Sequence, residues 1–188
     1  MISTFTVIFD ANVLYGQRIR SLLMELAMSG LFRAKWTDDI HREWVTAVAR
    51  KTGHEIARLQ RTRQLMDASV PDALVTGYED LIPALTLPDP DDRHVLAAAI
   101  RCGASAIVTF NEKHFPTEAL SKYGVHTRHP DNFIMDVDGL NRGVVADAAR
   151  ADRLHYPLSI DEYIEGIRAA RLPLVAAHLN KVRVLLEE

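Results

Sequence analysis

One cysteine, Cys102, occurs in 188 residues. That scarcity excludes an intrachain disulfide and a cysteine-rich metal site, and it suits a reducing compartment. Long apolar runs are also missing. The most apolar stretch near the C-terminus is interrupted by His178, Asn180, Lys181 and Arg183, so it falls short of the roughly 20 residues a membrane-spanning helix takes. The opening MISTFTVIFDANVLYG has no basic start leading to a long apolar segment and a small-residue cleavage site, and does not read as a secretory signal. The expected location is the cytoplasm, without membrane contact. No internal repeat or low-complexity segment is visible.

An excess of positive charge is lacking too. Lys and Arg total 22 against 25 Asp and Glu, a net charge of −3, which gives no global attraction to nucleic acid. Locally the balance changes. Residues 33–63 carry Arg33, Lys35, Arg42, Arg50, Lys51, Arg58, Arg61 and Arg63 against Asp38, Asp39, Glu43 and Glu55, whereas residues 76–118 are predominantly acidic. An acidic focus beside a basic stretch suits a metal-dependent enzyme acting on a polyanion. Solvated helix faces give the same pattern.

What is present is an ordinary globular composition, long enough for one domain with a full core and a small appendage. FTVIF at 5–9 reads as a buried strand ending at Asp10. A helix over about 17–29 stops at Gly30, FRAKWT reads as a short strand, and Asp38 or Asp39 is placed to cap a helix running to about Arg50. Another amphipathic helix covers 54–68. The helix opened by DPDD runs to Gly103, ASAIVTF is a second buried strand, and GVHTRHPDNF holds a last short one. This alternation predicts an α/β fold, a central parallel sheet with helices on both faces.

The sheet domain is expected over 1–135 and a helical C-terminal extension over 136–188. Ser159 and Glu162 form a capping-box signal, and Pro173 ends that helix or begins another. Val175, Leu179, Val182 and Leu186 make an apolar stripe that needs covering. Its own domain is the favoured cover, with a partner protein or a second subunit in a homodimer as the alternative.

DPDD on its own has a structural explanation: Asp89 caps, Pro90 suits the first helical position, and Asp91 and Asp92 complement the helix dipole. Topology adds a second one. In a parallel sheet, strand C-terminal ends and the N-termini of following helices share one edge, where ligands bind. Asp10, Glu43, Asp92 and Asn111 are each delivered to that edge by a different segment. Capping does not account for Asp10. Asp92 shares a stripe with Val95, Leu96, Ala99 and Gly103 and is the inward carboxylate; Asp91, one step round, offsets the dipole or supports the site through water. Converging carboxylates repel one another unless a hard divalent cation, magnesium or manganese, joins them. Such a cation activates water for attack on a phosphodiester.

FDANVLY at 9–15, Glu43 in HREWV, DPDDRHVLAAAI at 89–100 and IVTFNEKHF at 107–115 resemble, in that order, the PIN-domain ribonucleases, and in particular VapC-type toxins of toxin–antitoxin pairs. The resemblance covers roughly residues 5–133. It implies a three-layer α/β/α PIN-like fold and a magnesium- or manganese-dependent endoribonuclease that cleaves RNA and is neutralised by a cognate antitoxin. It also implies that Asp10, Glu43 and Asp92 are the catalytic, metal-binding acids, supported by Asn12 and Thr109. Asn111 stands where many relatives carry a further carboxylate, and His114 where an aspartate often precedes the phenylalanine. Asn111 is still expected to ligate the metal, through its amide oxygen or a water.

Arg42, Arg50, Lys51 and His94 flank the expected crevice as candidate RNA-phosphate contacts, without sequence information of their own. Trp36 and Trp44 are expected to fill core rather than stack on bases. No histidine pair has zinc-helix spacing. Two other classes remain open from the residues. One is an aspartate-nucleophile phosphatase, which usually needs an acid where this chain has Asn12. The other is a catalytically weakened PIN-fold module that binds RNA or protein, which Asn111 in place of a carboxylate allows.

Overall fold

The computed structural model describes residues 5–187. The β-branched and aromatic residues of FTVIF form strand β1 (Phe5–Phe9). Helices α1 (Ala11–Tyr15) and α2 (Gln17–Met28) follow, and Gly30, at φ 74°, turns the chain into β2 (Phe32–Lys35). Helix α3 (Asp38–Thr52) is capped by Thr37 rather than by Asp38 or Asp39. The Thr37 hydroxyl accepts from the Ile40 amide at 3.1 Å, while both aspartates sit in the first turn and offset the dipole.

Helix α4 (Ile56–Ser69) leads through a long connection to Asp89. Asp89 accepts from the Asp91 amide at 3.0 Å and caps a 3₁₀ turn, Pro90–Asp92, that feeds α5 (Arg93–Arg101). Strand β3 (Ala106–Val108), helix α6 (Thr117–Leu120) and strand β4 (His126–Arg128) complete the sheet. β3 ends earlier than the apolar run suggests. The Thr109 amide still donates to the Arg128 carbonyl at 3.0 Å, but the Thr109 hydroxyl turns to Asp10.

All three pairings are parallel, in the order β2-β1-β3-β4. The chain leaves β1 to one side to form β2 and later crosses to the other side to form β3. The C-terminal ends of β1 and β3 therefore border the crevice where the winding reverses, and open parallel sheets bind ligands at such points. Helices cover both faces, giving the expected three-layer α/β/α arrangement.

Val7, Ile8 and Phe9 are wholly buried, as a strand covered on both sides requires. On one face Phe9, Phe32 and Phe133 form edge-to-face pairs with centroids 5.0–6.1 Å apart, and Phe9 stacks on Trp36 at 6.5 Å. Trp36 and Trp44 are both core residues.

After β4 come α7 (Pro130–Leu140), α8 (Val144–Arg153), α9 (Ile160–Ala169) and α10 (Pro173–Lys181). The capping box of Ser159 and Glu162 forms at the start of α9, and Pro173 opens α10. Val175, Leu179 and Leu186 are buried and Val182 half-buried, so the stripe is covered by the chain itself.

Two buried aspartates fasten this region. Asp131, at the start of α7, accepts from the amides of Leu174 and Val175 at 2.9 and 3.0 Å. Asp152, on α8, accepts from the Tyr163 hydroxyl at 2.6 Å and from the Ser21 hydroxyl on α2. Among the described residues no helix is long and apolar enough to cross a membrane.

Candidate active site

Asp10 follows β1 directly, and its amide donates to the Val108 carbonyl at 3.1 Å, which ties it to the end of β3. The residue is 4% exposed. Oδ2 accepts from Asn12 Nδ2 at 2.6 Å and from the Thr109 hydroxyl at 2.7 Å. Asn12 also donates to Thr109 Oγ1 at 2.9 Å and accepts from the Phe110 amide at 3.0 Å, while the Asn111 amide donates to Thr109 Oγ1 at 2.9 Å. The first turn of α1 and the end of β3 are thus latched across Asp10 by two side chains 97 positions apart.

Glu43 reaches the same place from α3 and Asp92 from the start of α5. Asp10, Asn12, Glu43, Asp92 and Asn111 all line one cleft of about 760 Å³. That is ample for a ligand of nucleotide size or larger.

Each of the two outer carboxylates has a histidine partner. His94 Nε2 lies 2.7 Å from Glu43 Oε1, and His114 Nδ1 lies 2.8 Å from Asp92 Oδ2. The three acids share the cleft, but their oxygens do not converge as the sequence suggests. Among the described residues, the set of metal-capable side chains whose ligand atoms fall within 4.8 Å of one another is Asp89, Asp92 and His114.

Burial pushes the Asp10 carboxyl up to about 6; the Thr109 hydrogen bond works against this, and the charges of Asp92 and Glu43 add to it. Asp92 is raised as well, chiefly by burial, with Asp89 and Glu43 adding and His114 opposing. For His94 burial resists protonation, but Glu43, through its hydrogen bond and charge, helped by Asp39 and Asp10, outweighs it and raises the pKa above the ordinary value. The cleft is therefore a concentration of negative charge that the fold does not fully compensate. The carboxylates and the Asn111 amide oxygen are hard donors, the chemistry magnesium and manganese take, while the ligand atoms already closest together are those of Asp89, Asp92 and His114.

The remaining candidates divide. Lys51 lines the cleft. Arg42 is exposed and pairs with Asp39 one turn away, and Arg50 is exposed without lining the cleft. His94 does not face outward as an RNA contact. Its ring is buried with Nε2 committed to Glu43, because position 94 lies on the inward side of α5. Asp91 is exposed on the 3₁₀ turn, away from the cleft lining.

A model of the PIN domain matches residues 6–113, more than half of the chain. The chain belongs to the PIN-domain family. A second model, described as the VapC50 C-terminal domain, matches residues 130–181, which gives the VapC-type arrangement of a PIN domain followed by a helical region. Over 83 residues the chain is 46% identical to a protein named "Putative ribonuclease VapC50" from Mycobacterium tuberculosis (strain ATCC 25618 / H37Rv); the match covers 42% of this chain and 48% of the relative. The chain thus spans about half the length of the curated relative it matches. No solved structure matches it.

Three roles at the site become visible only in the fold. The pairing of His94 with Glu43 joins residues 51 positions apart, and no local spacing announces it. His114 stands out in the sequence as a departure from the family pattern, but its role as partner of Asp92 needs the fold. Arg171 borders the cleft from the C-terminal extension; its only sequence signal is an arginine in the short link between α9 and Pro173.

Proposed function

We propose that this chain is a metal-dependent endoribonuclease that hydrolyses RNA phosphodiester bonds, the toxin of a type II toxin–antitoxin pair held in check by a cognate antitoxin in the cytoplasm. The observation that carries the reading is the meeting of Asp10, Glu43, Asp92 and Asn111, from four separate segments, on the wall of one cleft in a PIN-family chain. The similarity to a protein named as a ribonuclease supports it. In this reading residues 1–135 are the nuclease unit and 136–188 a helical extension.

Asp10, Glu43 and Asp92 would hold the cation, with Asn111 contributing its amide oxygen. When bound, magnesium or manganese would supply the charge that lets these carboxylates ionise together and would make water a competent nucleophile toward a phosphodiester. Asn12 and Thr109 keep Asp10 in one orientation by occupying Oδ2. His94 and His114 restrain Glu43 and Asp92 in the same way. Lys51, on the cleft wall, draws the polyanion in. No serine, cysteine or histidine nucleophile is needed.

The test is incubation of the purified chain with structured RNA, with and without magnesium, beside Asp10→Asn and Asp92→Asn. Cleavage that needs the metal and falls at least about tenfold in both variants is expected. Equal activity in parent and variants would overturn the proposal.

A further inference from the structure

We propose that Arg171, carried by the C-terminal extension, binds a backbone phosphate of the RNA at the rim of the cleft, so that the extension completes the substrate site instead of merely packing behind it. This rests on the nuclease reading above.

Arg171 and the two alanines before it form a wall of the same cleft that holds Asp10, Asp92 and Asn111. Its guanidinium carbon lies 4.2 Å from the ring centroid of Phe110, the residue between Thr109 and Asn111. Phe110 is itself braced edge-on by His129 at 5.2 Å. A guanidinium held over a ring spends none of its N–H donors on that contact, and those donors can make paired hydrogen bonds to phosphate.

Charge points the same way. Neighbouring arginines are spoken for, Arg168 by Glu165 and Arg183 by Asp161. Among the described residues Arg171 has no such carboxylate. With Lys51 on α3 it gives an otherwise acidic cleft its two cations.

The backbone supplies an independent observation. Helix α9 ends at Ala169 with Ala170 as its cap, and Arg171 then adopts φ 67°. Glycine is the usual residue at this left-handed position after a helix, because a Cβ there is strained. A strained non-glycine residue whose side chain faces a cleft is where a functional reason is to be sought.

Arg171→Gly separates the two roles, since glycine suits the backbone and deletes the guanidinium. In the Asp10→Asn background, with cleavage suppressed, a labelled single-stranded RNA oligonucleotide is titrated by fluorescence anisotropy at several salt concentrations. Arg171→Gly is expected to weaken binding about tenfold or more. The slope of log affinity against log salt should fall by about 0.7, the signature of one lost phosphate contact on a single strand. Its urea midpoint should be no lower than that of the Arg171 protein. Arg171→Lys should keep the salt slope and bind with intermediate affinity, because it keeps the charge without the planar fork.

Unchanged affinity and slope in Arg171→Gly overturn the proposal, as does weaker binding that merely follows a lowered urea midpoint. Cleavage by the parent is measured alongside. A parent that cleaves RNA while Arg171→Gly binds normally removes this inference alone; a parent that neither cleaves nor binds removes the nuclease reading with it.

Discussion

Glu43 on α3 and His94 on α5 meet at 2.7 Å, across the gap between two helices that approach the sheet from different crossovers. The contact fixes one carboxylate of the cleft from outside the cleft. It also gives the buried ring of His94 a charged partner at Nε2, although Nδ1 has none.

That pairing has a pH signature. The folded-state pKa of His94 lies above its ordinary value, so its contribution is complete below the unfolded value of about 6.5 and fades as pH rises through the folded one. In chelator-treated protein, His94→Gln should be destabilised relative to the parent more at pH 6 than at pH 9, measured by urea unfolding. A gap that stays constant between the two pH values would argue against the pairing.

Asp10 behaves in the opposite sense. Its pKa is raised from 3.8 to about 6 in the fold, so the folded protein is penalised for ionising it as pH climbs through that window. The cost is on the order of 3 kcal/mol once pH exceeds 6. Asn keeps an acceptor for Asn12 and Thr109 without the charge. Metal-free Asp10→Asn is therefore expected to match the parent near pH 4 and to exceed its unfolding free energy at pH 7.5. A parent at least as stable as the variant at pH 7.5 would show that the charge there is not strained.

Asn12 is the latch between α1 and the end of β3, meeting Asp10, Thr109 and the Phe110 amide. Asn12→Ala leaves the amide and one lone pair of a buried carboxylate without partners. A loss of about 2–3 kcal/mol is expected in urea unfolding, because partly buried groups pay their desolvation cost when a partner is deleted. A loss under about 0.5 kcal/mol would mean water replaces the side chain at little cost.

Asp131 ties α10 to α7 by accepting from Leu174 and Val175. Asp131→Ala removes a cap worth about 1–2 kcal/mol. Hydrogen exchange at those two amides should accelerate in the variant before exchange in β1 does. Simultaneous acceleration throughout would show the extension and the sheet opening as one unit.

The two central strands were legible because they are written as largely apolar, β-branched runs, FTVIF and the centre of ASAIVTF, each followed by a polar residue. Asp10, Glu43, Asp92 and Asn111 were expected together because parallel strands send all such ends to one edge. The helical character of the extension was expected, but the separate bounds of α7 and α8 were not, because residues 130–153 carry Asp131, Asp138 and Asp152 on faces that the fold buries, which blurs an apolar stripe. His94 was misassigned for a related reason: an imidazole beside a cluster of acids looks like a solvent-facing phosphate contact until α3 is packed against it. Arg171 was out of reach, since its significance lies in a contact with Phe110, 61 positions earlier, and in a backbone angle.

The most direct measurement is a manganese titration of the purified chain, followed by the EPR signal of free Mn²⁺, for the parent and for Asp10→Asn, Glu43→Gln and Asp92→Asn. If the three carboxylates share a divalent ion, each variant binds at least about tenfold more weakly than the parent. Parent-like affinity in all three variants, or no saturable site in the parent, would contradict a metal-centred cleft.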